Sequence, residues 1–93
     1  MSKYSLDKLP SDILKSTAKN VSRLRKEKKL TQQDLVNKSG VSYGSIKRFE
    51  RTGKISFESL LKIAEALGRL EEFDGLLRPT GIKRLEKLFE SQK

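Results

Sequence analysis

Apolar side chains recur along this chain at three- and four-residue spacings, and no segment shows the alternation of a strand. Leu14, Ala18, Val21 and Leu24 make the first stripe, with Lys15, Lys19, Arg23 and Lys26 on the other face. Pro10-Ser11 opens this helix, with Ser11 as the expected N-cap and Asp12 favourable in the first turn. It should end near Lys28 and Lys29, where cations suit the helix dipole. Thr31 caps a second helix, Asp34 completes a short-armed capping box, and Leu35 and Val36 supply the buried face. Gly40 provides the positive φ of a tight turn, with Val41 packed beneath it. Ser42 caps a third helix whose Ile46 and Phe49 point inward, and Thr52-Gly53 ends it.

Ser56 caps a fourth helix with Phe57, Leu60, Leu61, Ala64 and Leu67 as its stripe, closed by Gly68. Leu70, Phe73, Leu76 and Leu77 predict a short fifth helix, stopped by Arg78-Pro79-Thr80-Gly81. Ile82, Leu85, Leu88 and Phe89 form a last small amphipathic piece. The expected fold class is therefore all-α: a compact bundle of five or six helices. Residues 1–10 read as an N-terminal arm, 11–68 as the main domain and 69–93 as a helical extension. Both terminal stripes are too short to stand alone as helices. The first is expected to be mostly core, and the second (Ile82, Leu85, Leu88, Phe89) a dimer or partner surface.

Composition narrows the chemistry. Ninety-three residues suit one small domain. Cysteine and histidine are both absent, which removes disulfides, thiolate ligands, the commonest metal ligand and the commonest general base. No acidic cluster is dense enough for a metal, so no metal, no cofactor and no enzyme activity is expected. No apolar run approaches about 18 residues, so a cytoplasmic protein is expected rather than a membrane one.

The net charge of +9 is unevenly placed. Residues 1–55 carry 14 Lys/Arg against 5 Asp/Glu, whereas residues 56–93 carry 7 of each. Such a basic half suits nucleic acid, although membranes, RNA and acidic proteins attract it too.

Thr31 to Glu50, TQQDLVNKSGVSYGSIKRFE, has the layout of a helix-turn-helix, whose second helix fits the DNA major groove. LRKEKKLTQQDLVNKSGVSYGSIKRFERTGKIS, followed by FESLLKIAEALG, resembles the Cro/CI-type (XRE) helix-turn-helix domain of phage and bacterial repressors. The resemblance covers roughly residues 12–68. It implies that Gln32, flanked by Thr31 and Gln33 at the start of the second helix, meets a DNA phosphate and braces the recognition helix. Ser42, Tyr43, Gly44 and Ser45 would be its exposed first turn. Arg48 has the planar fork that pairs with guanine, worth about 1–3 kcal/mol of discrimination. Lys47 is either a phosphate contact or a solvated lysine. Arg51, Thr52 and Lys54 lie where relatives grip the backbone, and Arg25 and Glu50 where they hold a structural ion pair. Tyr43 and Gly44 replace the long polar residues of many relatives, so shape and phosphates should carry more of the binding.

SIKRFERTGKISFESLLKIAEALGRLEEFDGLL further resembles HipB-like antitoxins, the repressors that accompany HipA-like kinase toxins. The leading expectation is a homodimeric, sequence-specific repressor of double-stranded DNA, with a HipA-like kinase as partner in the antitoxin form. The alternatives are a stand-alone repressor and a protein-interaction module with a basic face.

Overall fold

The computed structural model describes residues 8–79. Four α-helices follow one another: α1 (Pro10–Glu27), α2 (Gln32–Ser39), α3 (Tyr43–Thr52) and α4 (Phe57–Ala66). A 3-10 turn, Leu70–Phe73, comes after them, and there is no strand among the described residues.

Three of the helix starts have the hydroxyl caps that the sequence predicts. Thr31 Oγ1 accepts from Asp34 N at 3.0 Å while Asp34 Oδ2 accepts from Thr31 N at 2.8 Å. Ser42 and Ser56 accept from the amides of Ser45 and Ser59 at 3.2 and 3.1 Å. The start of α1 differs from expectation. Pro10 is already helical, so Ser11 lies inside the helix and Leu9 occupies the N-cap position. A leucine side chain has no acceptor, and the side-chain bond at this end is Asp12 Oδ2 accepting from Leu9 N at 2.9 Å. Pro at the first helical position loses nothing there, because that amide would have had no intrahelical partner.

Two turns set the directions of α2 and α3. Gly40 ends α2 in the left-handed region (φ 78°) with its amide on Val36 O. The α1–α2 connection closes similarly, with Leu30 N on Arg25 O at 3.0 Å and Lys29 N on Lys26 O at 2.9 Å. Here Lys29 occupies the left-handed position (φ 59°) that glycine usually takes.

Ala18, Leu35, Val41, Ile46, Phe49, Ile63 and Leu67 form the core, with Val21, Leu24, Leu30, Val36, Ile55, Leu60 and Ala66 packed on it. Leu35, Ile46, Phe49 and Ile63 are almost wholly buried, and each contributes about 1.5–3 kcal/mol relative to an exposed position. Ile63 completes the inner face of α4, in the 60, 63, 64, 67 register, where the expected stripe had placed Phe57. Phe57 is 56% exposed. It opens its helix over the edge of Phe73 (ring centroids 6.1 Å apart, planes at 72°) rather than over the core. Leu14, expected in the first stripe, is 40% exposed.

The expected fifth helix is a single 3-10 turn. Of its four apolar residues only Phe73 is half-buried; Leu70, Leu76 and Leu77 are exposed, Leu77 by 97%. Left-handed backbone at Gly75 (φ 80°) and Leu77 (φ 59°) breaks the helical register, so the stripe does not complete the core. A groove between α1 and α4, lined by Val21, Leu24, Leu60, Leu67 and Phe73, stays open. The last stripe (Ile82, Leu85, Leu88, Phe89) lies outside the described residues, as does most of the arm.

Candidate nucleic-acid interface

At 100° per residue, the face of α3 opposite Ile46 and Phe49 carries Gly44 and Arg51 at its centre, with Lys47 and Arg48 on either side. Tyr43, Gly44, Ser45, Lys47, Arg48 and Arg51 are all exposed. Lys47 Nζ stands 5.9 Å from the centre of the Tyr43 ring, a cation-π contact that gathers the two side chains. Lys47, Arg48, Arg51 and Lys54 form no ion pair among the described residues, so their charge faces solvent uncompensated.

The position of that face is set from behind by Glu50. Arg25 Nε and one of its terminal nitrogens donate to Glu50 Oε2 and Oε1 at 2.8 and 2.9 Å. The other terminal nitrogen of Arg25 donates to Leu30 O at 2.7 Å. Gln32 Nε2 donates to Glu50 Oε1 at 3.0 Å. Glu50 of α3 thus ties the end of α1 to the first residue of α2, and Arg25 adds the α1–α2 loop. Burial opposes the charge on Glu50, but the hydrogen bonds from Arg25 and Gln32 and the Arg25 charge, with a smaller effect of the nearby Ser22 hydroxyl, outweigh it and hold its carboxyl below the usual range. The hydrogen bond to Glu50 raises Arg25 in turn, against the opposing effect of burial.

Gln32 therefore braces α3 directly. Its amide nitrogen has a second proton, and the backbone amides of Gln32 and Gln33 have no intrahelical acceptors, whereas that of Asp34 is taken by Thr31. Together they offer donors to an anion at that helix end. Gln33 lies beside it, with its Nε2 donating to Asn37 Oδ1 at 3.3 Å. Thr31 and Ser42 spend their oxygens on capping, and Ser42 also donates to Ser45 Oγ at 2.9 Å. Thr52 Oγ1 donates to Arg48 O at 2.8 Å and accepts from Lys54 N at 3.1 Å, so its proton is committed to the turn. Thr52 shapes the loop that carries Lys54 and offers no free donor here.

The sequence reading missed Ser22 and the Leu30 carbonyl as members of the Glu50 cluster. Nothing in their spacing marks them: Ser22 reaches Glu50 only when α1 packs on α3, and the Leu30 carbonyl joins because the α1–α2 loop turns it back onto Arg25. No group of three or more potential metal ligands occurs among the described residues. No described helix is long and apolar enough to cross a membrane.

The order of elements, the Gly40 turn and the cationic outer face of α3 define a helix-turn-helix. The model of the XRE-type helix-turn-helix family matches residues 21–73, more than half of the chain, and the protein belongs to that family. No curated protein and no solved structure matches it.

Proposed function

We propose that this protein is a sequence-specific transcriptional repressor that binds double-stranded DNA as a homodimer, one recognition helix per subunit in successive major grooves. The observation that carries the reading is the outer face of α3: four uncompensated cations follow a bare Gly44 along α3 and into its exit loop, and Arg25 and Gln32 fix the helix from behind through Glu50. Arg48 reads a base, with Tyr43 in support. Gln32, Arg51 and Lys54 contact phosphates and set the register. Promoter occlusion then follows from occupancy alone.

The narrower reading is an antitoxin that represses its own operon and binds a HipA-like kinase. It is supported by the resemblance of residues 45–77 to HipB-like antitoxins. Its test is the neighbouring reading frame and co-purification with its product.

Selection of duplexes from a random pool tests the main reading. Binding should fall steeply with salt, and the selected sequence should be preferred over random DNA by about 10³-fold or more. A protein-interaction module would show equal, weak binding to both.

A further inference from the structure

Beside the recognition helix lies a second cleft, of about 300 Å³, between α1 and the end of α3. Lys15, Lys19 and Ser22 line it from α1, and Glu50, Arg51 and Thr52 from α3. We propose that it is a phosphate clamp, in which Lys15, Lys19 and Arg51 hold the DNA backbone flanking the bases met by α3. This rests on the DNA-binding reading above and extends its footprint onto α1.

Charge is the first support. Among the described residues the only acid lining the cleft is Glu50, and both its oxygens are occupied by Arg25 and Gln32. Its charge is balanced by Arg25, so it does not neutralise the three cations. Lys15, Lys19 and Arg51 are exposed and form no ion pair among the described residues. Three cations with no free carboxylate beside them line this one cavity, so an anion that enters it meets favourable charge. Two flexible ammoniums and one planar guanidinium suit a phosphate group, as point charges and as a fork.

Position is the second support, and it favours a polymer over a free anion. Arg51 stands seven residues after Gly44, two turns along the same outer face of α3. A duplex lying on that face passes the mouth of the cleft. Lys15 and Lys19 are one turn apart on α1, on the side that continues from Arg51. Arg51 thus joins the outer face of α3 to the two lysines of α1, and the cleft between them is open to solvent.

The test compares wild type with Lys15→Gln/Lys19→Gln on a duplex selected from a random pool and on the same duplex trimmed to its base-read centre. Both lysines are exposed, so the variant should melt with the wild type. On the full duplex the slope of log affinity against log salt should fall by about 1.8, which is two phosphate contacts at about 0.9 each. Preference between bases should not change, and the difference between the proteins should vanish on the trimmed duplex. An unchanged slope on the full duplex, or an equal loss on both duplexes, overturns the clamp and leaves the DNA reading standing. If no duplex is selected, both fall. Inorganic phosphate provides the remaining arm, followed by amide chemical shifts at residues 15–22 and 50–52. Saturable phosphate binding that the selected duplex does not displace assigns the cleft to a free anion and overturns the proposal.

Discussion

Arg25 and Glu50 meet through two parallel hydrogen bonds, 2.8 and 2.9 Å long, across 25 residues of sequence. The side chains are only 9% and 8% exposed, so each is the main compensation for the other's burial. Glu50→Ala should therefore destabilise the fold by about 3–5 kcal/mol, because it leaves the guanidinium buried and unpaired. Arg25→Ala should cost a similar amount and also strand the Leu30 carbonyl. Arg25→Met/Glu50→Leu, which removes both charges and keeps the volume, should recover most of that loss. Urea unfolding of the four proteins checks this, and equal stability of Glu50→Ala and wild type would remove the anchor from the account.

The same pair predicts how stability depends on pH. The folded-state pKa of Glu50 is lowered from its usual value of 4.5. Its contribution is then fully present above about pH 4.5 and is lost as the pH falls through the lower folded value. Thermal melting should be flat from pH 5 to 7 and fall below pH 4.5. Glu50→Gln should start lower and descend less steeply. Some slope will remain, because Asp34 is also lowered, by bonds from the Thr31 amide and hydroxyl. Parallel acid limbs for the two proteins would contradict the assignment.

Much of this framework is legible in the chain because it is local. Caps at Thr31, Ser42 and Ser56 act over three residues, and Gly40 and Gly53 bound α2 and α3 where the pattern of apolar residues ends. Ile46 and Phe49 follow from their spacing. The Arg25–Glu50 pair does not: no local rule joins positions 25 apart, and only the family resemblance suggested it. Ile63 and Phe57 compete for one helix face, and the choice depends on where α2 lies. Residues 70–77 have a helical apolar pattern, yet left-handed backbone at Gly75 and Leu77 ends it. Lys15 and Lys19 look like an ordinary solvated face until the fold brings Arg51 to the same cleft.

Left-handed backbone at Gly53 and Lys29 predicts opposite effects of opposite substitutions. A Cβ on Gly53 (φ 85°) would lie 2.7 Å from the backbone carbonyl carbon of Leu14. Gly53→Ala thus adds a clash to a conformational cost of about 1–2 kcal/mol, and a total loss of at least about 2 kcal/mol is expected. Lys29 (φ 59°) already bears such a cost. Lys29→Gly should stabilise by about 0.5–1 kcal/mol after the extra freedom of glycine in the unfolded chain is deducted. Calorimetric melting checks both. A lower melting temperature for Lys29→Gly would show that its side chain earns its place.

Arg48 and Lys54 should separate base reading from backbone holding. Arg48→Ala should cost about 1–3 kcal/mol against the preferred base at one position and relax specificity there. Lys54→Ala should weaken every sequence alike and lower the salt slope by about 0.9. Competition binding with single-substituted duplexes distinguishes them. A uniform loss for Arg48→Ala would make it a phosphate contact and leave Tyr43 as the candidate reader.

Gly44 has no reason internal to the fold. Its φ is not positive, nothing lies within 4 Å of the Cβ it lacks, and it sits inside a helix. Alanine there should stabilise the free protein by about 0.5–1 kcal/mol, raising the melting temperature by several degrees. If the backbone of α3 approaches the floor of the groove at this residue, the same methyl group stands between helix and bases. Gly44→Ala should then melt higher and bind the selected duplex more weakly, with binding to random DNA nearly unchanged. Stability and affinity moving in opposite directions is a result that packing alone does not produce. A variant that is more stable and binds as tightly as wild type would show that Gly44 leaves only empty space, and that the helix reads DNA from farther away.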